Sequence, residues 1–550
     1  VSNNQARALR RGDPVFLLTV RGFAGESWRL ATRPVNVVKA DGSVLSFSGG
    51  LTVPRFSERI ERSGGNPSAN AISLEADFGK DLAKLRARGH RLEQATGTLA
   101  LATIPRGVTG QRVATTHQIW EDTFTIYTSR IVSPVICPPG LPRTLAAFTL
   151  QSEVSTDPAA IVDPLARITV DTWPDAPSGA LGEVYPVVFG NPGAYTTAAG
   201  ASATTSGSPG HIIEDSSGSA QKLLLSSGHV SSTTVAVYDS SSNGATVSVI
   251  NTTDGSGRPV AVVDISGAAL TLTDSTFFIG WHASGGGGGL LNPYGTGSLS
   301  RAGDVGHYLA SLSANGVDRS AWGAAQGALN EFLLAGYWND PDVSPSEWMR
   351  ANLSKVAPIE VHGGPAGMRP IFYDPIYPVA LAPKLTADPE VVRSSSITQR
   401  HGPRDIRNRI TVEFAQRFNG GRYRRAITLG PGLSEADEHT TSVCEQSRND
   451  YGIVADETLR ADLVYDDTTA ENIAAWRLRM SALLREAVSY RLPPHLAGYT
   501  TGTLVRLTDS ELYLTDAPAV VVEREWTGGG WQITLELINE ATIAPYLAAT

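Results

Sequence analysis

Residues 233–250 read TTVAVYDSSSNGATVSVI, and this stretch sets the fold class. Thr233–Tyr238 and Ala245–Ile250 alternate apolar and polar side chains, the period of a strand with one face buried. Asn243-Gly244 between them suits a hairpin, since both residues tolerate the positive φ of tight turns. Pro259–Val263 supplies a further strand. The surrounding segment, from about Asn191 to Ser300, is dominated by Ser, Thr, Gly and Ala. It reads as a small-residue β domain, with Gly285 to Gly289 as one flexible loop.

Upstream, roughly Pro14 to Pro186, the pattern is again antiparallel β. Pro14–Val20, Trp28–Leu30, Ala71–Ala76, Gly97–Ala102, Thr123–Tyr127 and Ala147–Leu150 are short strands, and Asp81 to Arg88 is one short helix ended by Gly89. Downstream, Asp304 to Leu353 turns helical. Val305, Leu309 and Leu312 share one face, as do Leu329, Phe332 and Leu333. A third helix opens at Ser344 as N-cap, with Pro345 in the first turn, Glu347 completing a capping box, and Trp348 and Leu353 inward. Beyond Pro358 the Pro-rich chain, through Pro370, Pro375, Pro378 and Pro383, reads as an extended linker. The last part is β with one long helix, from Thr468 as N-cap to about Ala487. Its stripe is Ile473, Trp476, Met480, Leu483, Leu484 and Ala487. Strands follow at Val488–Leu492, Thr503–Leu507 and Ala519–Glu525, then a closing hairpin through Gly528–Gly530 to Trp531–Leu537.

The chain is long for a single core at 550 residues, and its 41% hydrophobic and 18% charged content is that of a folded protein. A net charge of -9 gives no general affinity for nucleic-acid backbones or acidic membranes. Two cysteines, Cys137 and Cys444, exclude a disulfide scaffold and four-cysteine zinc sites; they read as two buried thiols, with one long-range bridge between them as the alternative. No apolar run reaches the ~18 residues of a membrane span. Val1 to Arg11 lacks the pattern of a signal peptide, so a soluble product made in the cytoplasm is expected.

The motifs that carry chemistry are missing. No phosphate loop, His-Glu-x-x-His zinc motif, nucleophile elbow or dinucleotide loop occurs. His211, His282, His362 and His439 stand singly, and His362-Gly363-Gly364 reads as a turn without its elbow serine. Asp340 with Asp342, Asp437 with Glu438, and Asp466 with Asp467 are the carboxylate pairs a glycan- or peptidoglycan-cleaving enzyme could use. Asp466 and Asp467 have a structural reason to precede a helix, where negative charge is favourable. Arg422, Arg424 and Arg425 around Tyr423, after Arg417, form one basic cluster. It reads as a solvated strand face or as a contact for an acidic protein or passing nucleic acid. No catalytic residue, metal ligand or cofactor site is predicted.

Three stretches carry a resemblance: Trp120–Tyr127 with Ile168–Asp171 and Val184–Gly190; Gly303–Leu309 running to Ser346–Leu353; and Glu471–Arg485 followed by Val488–Pro494 and Gly502–Asp509. In order and texture they resemble the baseplate or tail-tip hub proteins that close the tube of long-tailed bacteriophages. The resemblance implies a structural, non-enzymatic virion protein at the tail tip, assembled in the host cytoplasm. It implies a homotrimeric ring in which two similar barrels per chain mimic a sixfold tube. Its partners would be the tail tube or distal tail protein, the tape measure protein and distal fibre or receptor-binding proteins, with DNA passing transiently during ejection.

The expected fold is therefore mainly β with α+β parts, in four sections. Residues 1–190 and 371–550 are barrel-like terminal domains, 191–300 the Ser/Thr/Gly-rich β domain, and 301–370 a small helical part and linker. Two other readings stand beside the hub. One is a cell-wall or polysaccharide hydrolase or glycan binder, with Trp281, Tyr294 and Trp338 stacking on sugars. The other is a distal tail ring protein.

Overall fold

The computed structural model describes residues 13–23, 26–39, 41–53, 56–59, 71–77, 79–88, 92, 95–104, 117–119, 123–136, 145–151, 166–193, 207–216, 219–238, 244–266, 276–281, 288–312, 317–340, 343, 345–364, 367–372, 382–388, 390–399, 403–416, 423–432, 438–527 and 529–538. The fold is mainly β with α+β parts.

The N-terminal sheet orders its strands Glu26–Ala31, Asp13–Phe23, Thr96–Ile104, Phe124–Ile136, Leu145–Gln151 and Ala71–Asp77. Strand Asp13–Phe23 reads as a continuous apolar run because both its faces are covered. Val15 and Leu17 pack with Ala31, Val35, Val37 and Phe47 on one side. Phe16, Leu18 and Val20 enter the larger core on the other.

That larger core extends into the end of the chain. The C-terminal sheet runs Lys384–Thr386, Leu504–Asp509, Leu514–Thr527, Gly530–Leu537, Glu486–Leu492 and Val392–Arg393, with Ser57–Arg59 pairing onto Leu514–Thr527. Phe16 meets Trp526 edge-on at 4.9 Å, Phe56 meets Trp531 at 5.9 Å, and the two tryptophans meet at 4.9 Å. The guanidinium of buried Arg524 lies 3.8 Å from the Trp531 ring centroid and 5.4 Å from that of Phe56. The two ends of the chain thus share one apolar interior.

Between them stands a closed six-stranded barrel: Ser208–Ser216, Ser219–Ser226, Pro259–Asp264, Gly244–Thr253, Thr234–Tyr238 and Thr276–Trp281. The expected hairpin is present, with Val235 opposite Val247 and Tyr238 opposite Gly244. Val235, Val237, Val263, Phe277, Ile279 and Trp281 fill the interior. Closure leaves no strand edge, which lets a Ser/Thr-rich sequence hold a small core. Residues 166–185 wrap the outside, where Ile168 and Tyr185 cover Leu224, Val260 and Val262. The Tyr185 hydroxyl donates to Asp254 at 3.1 Å and accepts from the Trp173 indole at 2.7 Å. The described end of the glycine run is packed, not loose: a Cβ on Gly289 would lie 2.3 Å from the Val188 carbonyl oxygen.

A third core gathers helices Ala302–Ser311 and Arg319–Leu329, the three-stranded sheet Tyr423–Leu429, Arg409–Gln416, Asp456–Ala461, and helix Asp467–Ser481. Trp348 and Leu353 face inward as expected, although the third helix passes through a π segment, Met349–Leu353. Ser344 lies outside the described residues.

Four further expectations need correction. Phe332 is buried but Leu333 is 41% exposed, because the helix ends at Leu329 and both residues follow it. The first part of the stretch read as a linker instead forms an antiparallel hairpin, Ile359–Gly364 with Gly367–Phe372, in which Ile359, Met368 and Ile371 are buried, while Pro375 and Pro378 lie outside the described residues. The long helix is capped by Asp466, not Thr468: its carboxylate accepts the Thr469 backbone N–H at 2.8 Å. That helix stops at Ser481, and Ala487 belongs to the next strand. An apolar stripe cannot register this end, since the strand buries Ala487 as well.

Candidate functional site

The sequence-predicted polar residues are mostly taken up in structural roles. Asp466 caps the long helix, and Asp467 accepts from Arg425 at 2.6 Å. Asp340 offers its backbone carbonyl to the Trp338 indole at 3.0 Å. Asp342, Asp437 and the side chain of Glu438 lie outside the described residues, as do His282, the side chain of His439, Arg417, Arg422 and Cys137. Cys444 is buried. Among the described residues, no three His, Cys, Asp or Glu side chains gather as a metal site would require.

Of the aromatics weighed as sugar platforms, Trp281 and Trp338 are buried, and the Trp281 indole donates to Ser208 Oγ at 2.9 Å. Tyr294 is partly exposed and lies flat on the His307 ring, with centroids 3.9 Å apart. Trp322 lies parallel to the His307 ring, with centroids 5.9 Å apart. Burial pushes the His307 imidazole below its ordinary pKa, and Arg319 adds to this while Asp304 opposes it. Asp304 in turn accepts from Asn292 at 2.7 Å and Gln326 at 2.6 Å, tying the loop after the barrel to both helices. His362 is buried with Glu360 at 3.0 Å on the unforeseen hairpin.

Two buried cations act at joints. Arg485 donates to Glu536 at 2.9 Å, to the Arg479 carbonyl at 2.9 Å and to the Met480 carbonyl at 3.0 Å. It links the end of the long helix to the closing strand of the C-terminal sheet. Arg524 sits in the aromatic cluster that unites the chain ends. Sequence reading missed both. Arg485 follows a helix end and Arg524 stands between Glu523 and Glu525, places where a charge ordinarily faces water.

The part of the molecule best arranged to meet another surface is the three-stranded sheet. Its centre strand Arg409–Gln416 buries Ile410, Val412 and Phe414 against the long helix. The opposite face is polar: Thr428, Thr411 and Thr458 form one row, and Glu413 lies beside Arg460 at 3.4 Å. Thr411 and Thr428 hydroxyls are 2.9 Å apart. The edge strand Tyr423–Leu429 holds the described part of the basic cluster. Arg424 is exposed, while Arg425 binds Asp467 and lies over the Phe414 ring. The Tyr423 hydroxyl donates to Asp462, and burial followed by that carboxylate pushes its pKa upward. The other edge, Asp456–Ala461, is preceded by the exposed pair Ile453 and Val454.

No protein-family model and no curated protein matches the chain. Among solved structures, it is similar to the 43 kDa tail protein of prophage MuSo2 from Shewanella oneidensis, at 9% identity and TM-score 0.36, over 96% of this chain and 99% of that one. A tail protein from Neisseria meningitidis stands at 10% identity and TM-score 0.36, over 97% and 99%. A prophage tail protein from Listeria monocytogenes stands at 16% and 0.21, over 36% and 53%. At these identities and TM-scores the likeness assigns neither family nor function.

Proposed function

We propose that the chain is a structural, non-enzymatic component of a bacteriophage tail, a hub subunit at the baseplate or tail tip. The observation that carries this reading is the shared interior of the first and last sheets, locked by Phe16, Phe56, Trp526 and Trp531. It joins the first and last sheets in one frame, beside which the closed barrel and the α/β part hold cores of their own. Such a frame suits a subunit under mechanical load that joins a tube above to fibres below. Of the carboxylates a hydrolase could use, Asp466 is engaged as a helix cap and Asp467 in an ion pair. Burial of Trp281 and Trp338 also takes away two of the three aromatics of a glycan platform.

In this reading the protein forms a homotrimer that contacts the tail tube or distal tail protein, the tape measure protein and receptor-binding parts. DNA crosses its centre during ejection. Electron microscopy of virions labelled on this chain tests it, with a threefold ring at the tail end as the expected result. A sixfold ring would instead indicate the distal tail protein. Label along the tail shaft, or none in the virion, overturns the proposal.

A further inference from the structure

We infer that strand Asp456–Ala461 is a two-fold docking edge for a second copy of this chain. Among the described residues this strand pairs only with the centre strand of its sheet, so its outer side has no strand neighbour. An open edge offers backbone N–H and C=O groups to any chain that can lie alongside. Edges that resist such pairing carry charges that repel a copy of themselves, and this strand does the opposite.

Asp456, Thr458 and Arg460 alternate along the exposed polar face, spaced by two residues. An antiparallel copy centred on Thr458 places Asp456 opposite the partner's Arg460, Arg460 opposite the partner's Asp456, and Thr458 opposite its own copy. Both ion pairs form at once, as a two-fold interface requires. Cross-strand pairs of opposite charge and Thr–Thr pairs each favour such a ladder. The threonine row Thr428, Thr411, Thr458 continues into the second copy, so two three-stranded sheets become one of six strands.

The acid and base are available for this contact. Each has an in-sheet partner, Asp456 with Arg409 at 3.5 Å and Arg460 with Glu413 at 3.4 Å, but the two side chains are 66% and 73% exposed, so the cross-copy contact extends these pairs outward. The exposed Ile453 and Val454 just before the strand add apolar surface to the same edge. The contact differs from a trimer's, which joins copies around an axis. It pairs two copies in separate rings, or before a ring assembles.

The test is the molar mass of the full chain by light scattering across a concentration series, with D456K, R460E and their mixture. The expected result is an even-numbered wild-type assembly whose self-association weakens about tenfold or more in either variant. The two variants mixed should associate again. Across their shared axis the introduced lysine faces the introduced glutamate, and the remaining Arg460 faces the remaining Asp456, so both pairs are restored. Melting temperatures should stay close to the wild type, since each variant loses only one exposed in-sheet ion pair, Asp456–Arg409 or Arg460–Glu413, and such surface pairs contribute little. A wild-type trimer that never doubles overturns the inference and leaves the ring reading standing. A monomer at every concentration, an assembly indifferent to both variants, or a mixture that fails to recover also overturns it.

Discussion

Glu536 has no exposed side-chain surface, and its partner Arg485 only 8%. A carboxylate in that position is tolerable only because the guanidinium meets it, while the Met480 and Arg479 carbonyls accept from its Nε and Nη2. Removing one partner strands a buried charge. Glu536→Ala should therefore lower unfolding free energy by about 3–5 kcal/mol. Replacing both, as Arg485→Met with Glu536→Leu, should cost far less, because two buried charges leave together. Denaturant unfolding of the single and double variants checks this; equal losses would show that the pair is not coupled. His307 makes a second prediction at this scale. Burial holds its folded pKa below the ordinary histidine value of 6.5, so the unfolded chain binds the proton more readily. That contribution to stability is intact above about pH 6.5 and is lost as pH falls from there through the folded pKa. His211 is shifted the same way by burial, so both add to the loss. His307→Phe should flatten the stability curve between about pH 7 and pH 5, and an unchanged slope would remove His307 from the account.

Helices Ala302–Ser311 and Arg319–Leu329 show how far a glycine's role depends on what lies over it. A Cβ at Gly306 would come within 2.5 Å of the Trp322 ring, which is fully buried and held by its indole donating to the Met368 carbonyl at 3.1 Å. Gly306→Ala should cost about 1–3 kcal/mol through overpacking. Gly323 meets nothing within 4 Å, so Gly323→Ala should stabilise by about 0.4–1 kcal/mol through the unfolded chain. Thermal melts of the two variants should move in opposite directions; a shared direction would mean the helices do not pack as described. Elements of this kind were legible where pattern and burial coincide. Val235, Val237 and Val247 alternate because the barrel interior is on one side, and the hairpin followed. The ends of elements were not legible. Asp466, Asp467 and Thr468 are all competent caps, and only the Thr469 N–H decides among them. The Pro-rich hairpin Ile359–Phe372 was hidden because Pro370 sits opposite Val361 in a two-stranded ribbon, where a missing N–H can face outward. The open edge at Asp456–Ala461 was invisible for a different reason: its charge pattern means nothing until the strand is known to lie at an edge.

At the scale of the whole molecule, the sequence separates what the fold joins. Phe16 and Trp526 lie near opposite ends of the chain, yet their rings touch. No local pattern carries that contact, because alternation reports that a face is buried and not against which partner. The joint also implies a specific unfolding behaviour. Trp531 is fully buried and contacts Phe56 from the first part of the chain and Trp526 from the last. Trp531→Ala should cost about 3–5 kcal/mol, the usual loss for a buried aromatic. If the two sheets are one cooperative unit, that loss is felt on both sides of the joint. Hydrogen exchange of the slowest amides in Thr96–Ile104 should then accelerate by the same factor as in Gly530–Leu537. Acceleration confined to Gly530–Leu537 would mean that the sheets touch but unfold separately, and the frame on which the proposed tail role rests would be lost.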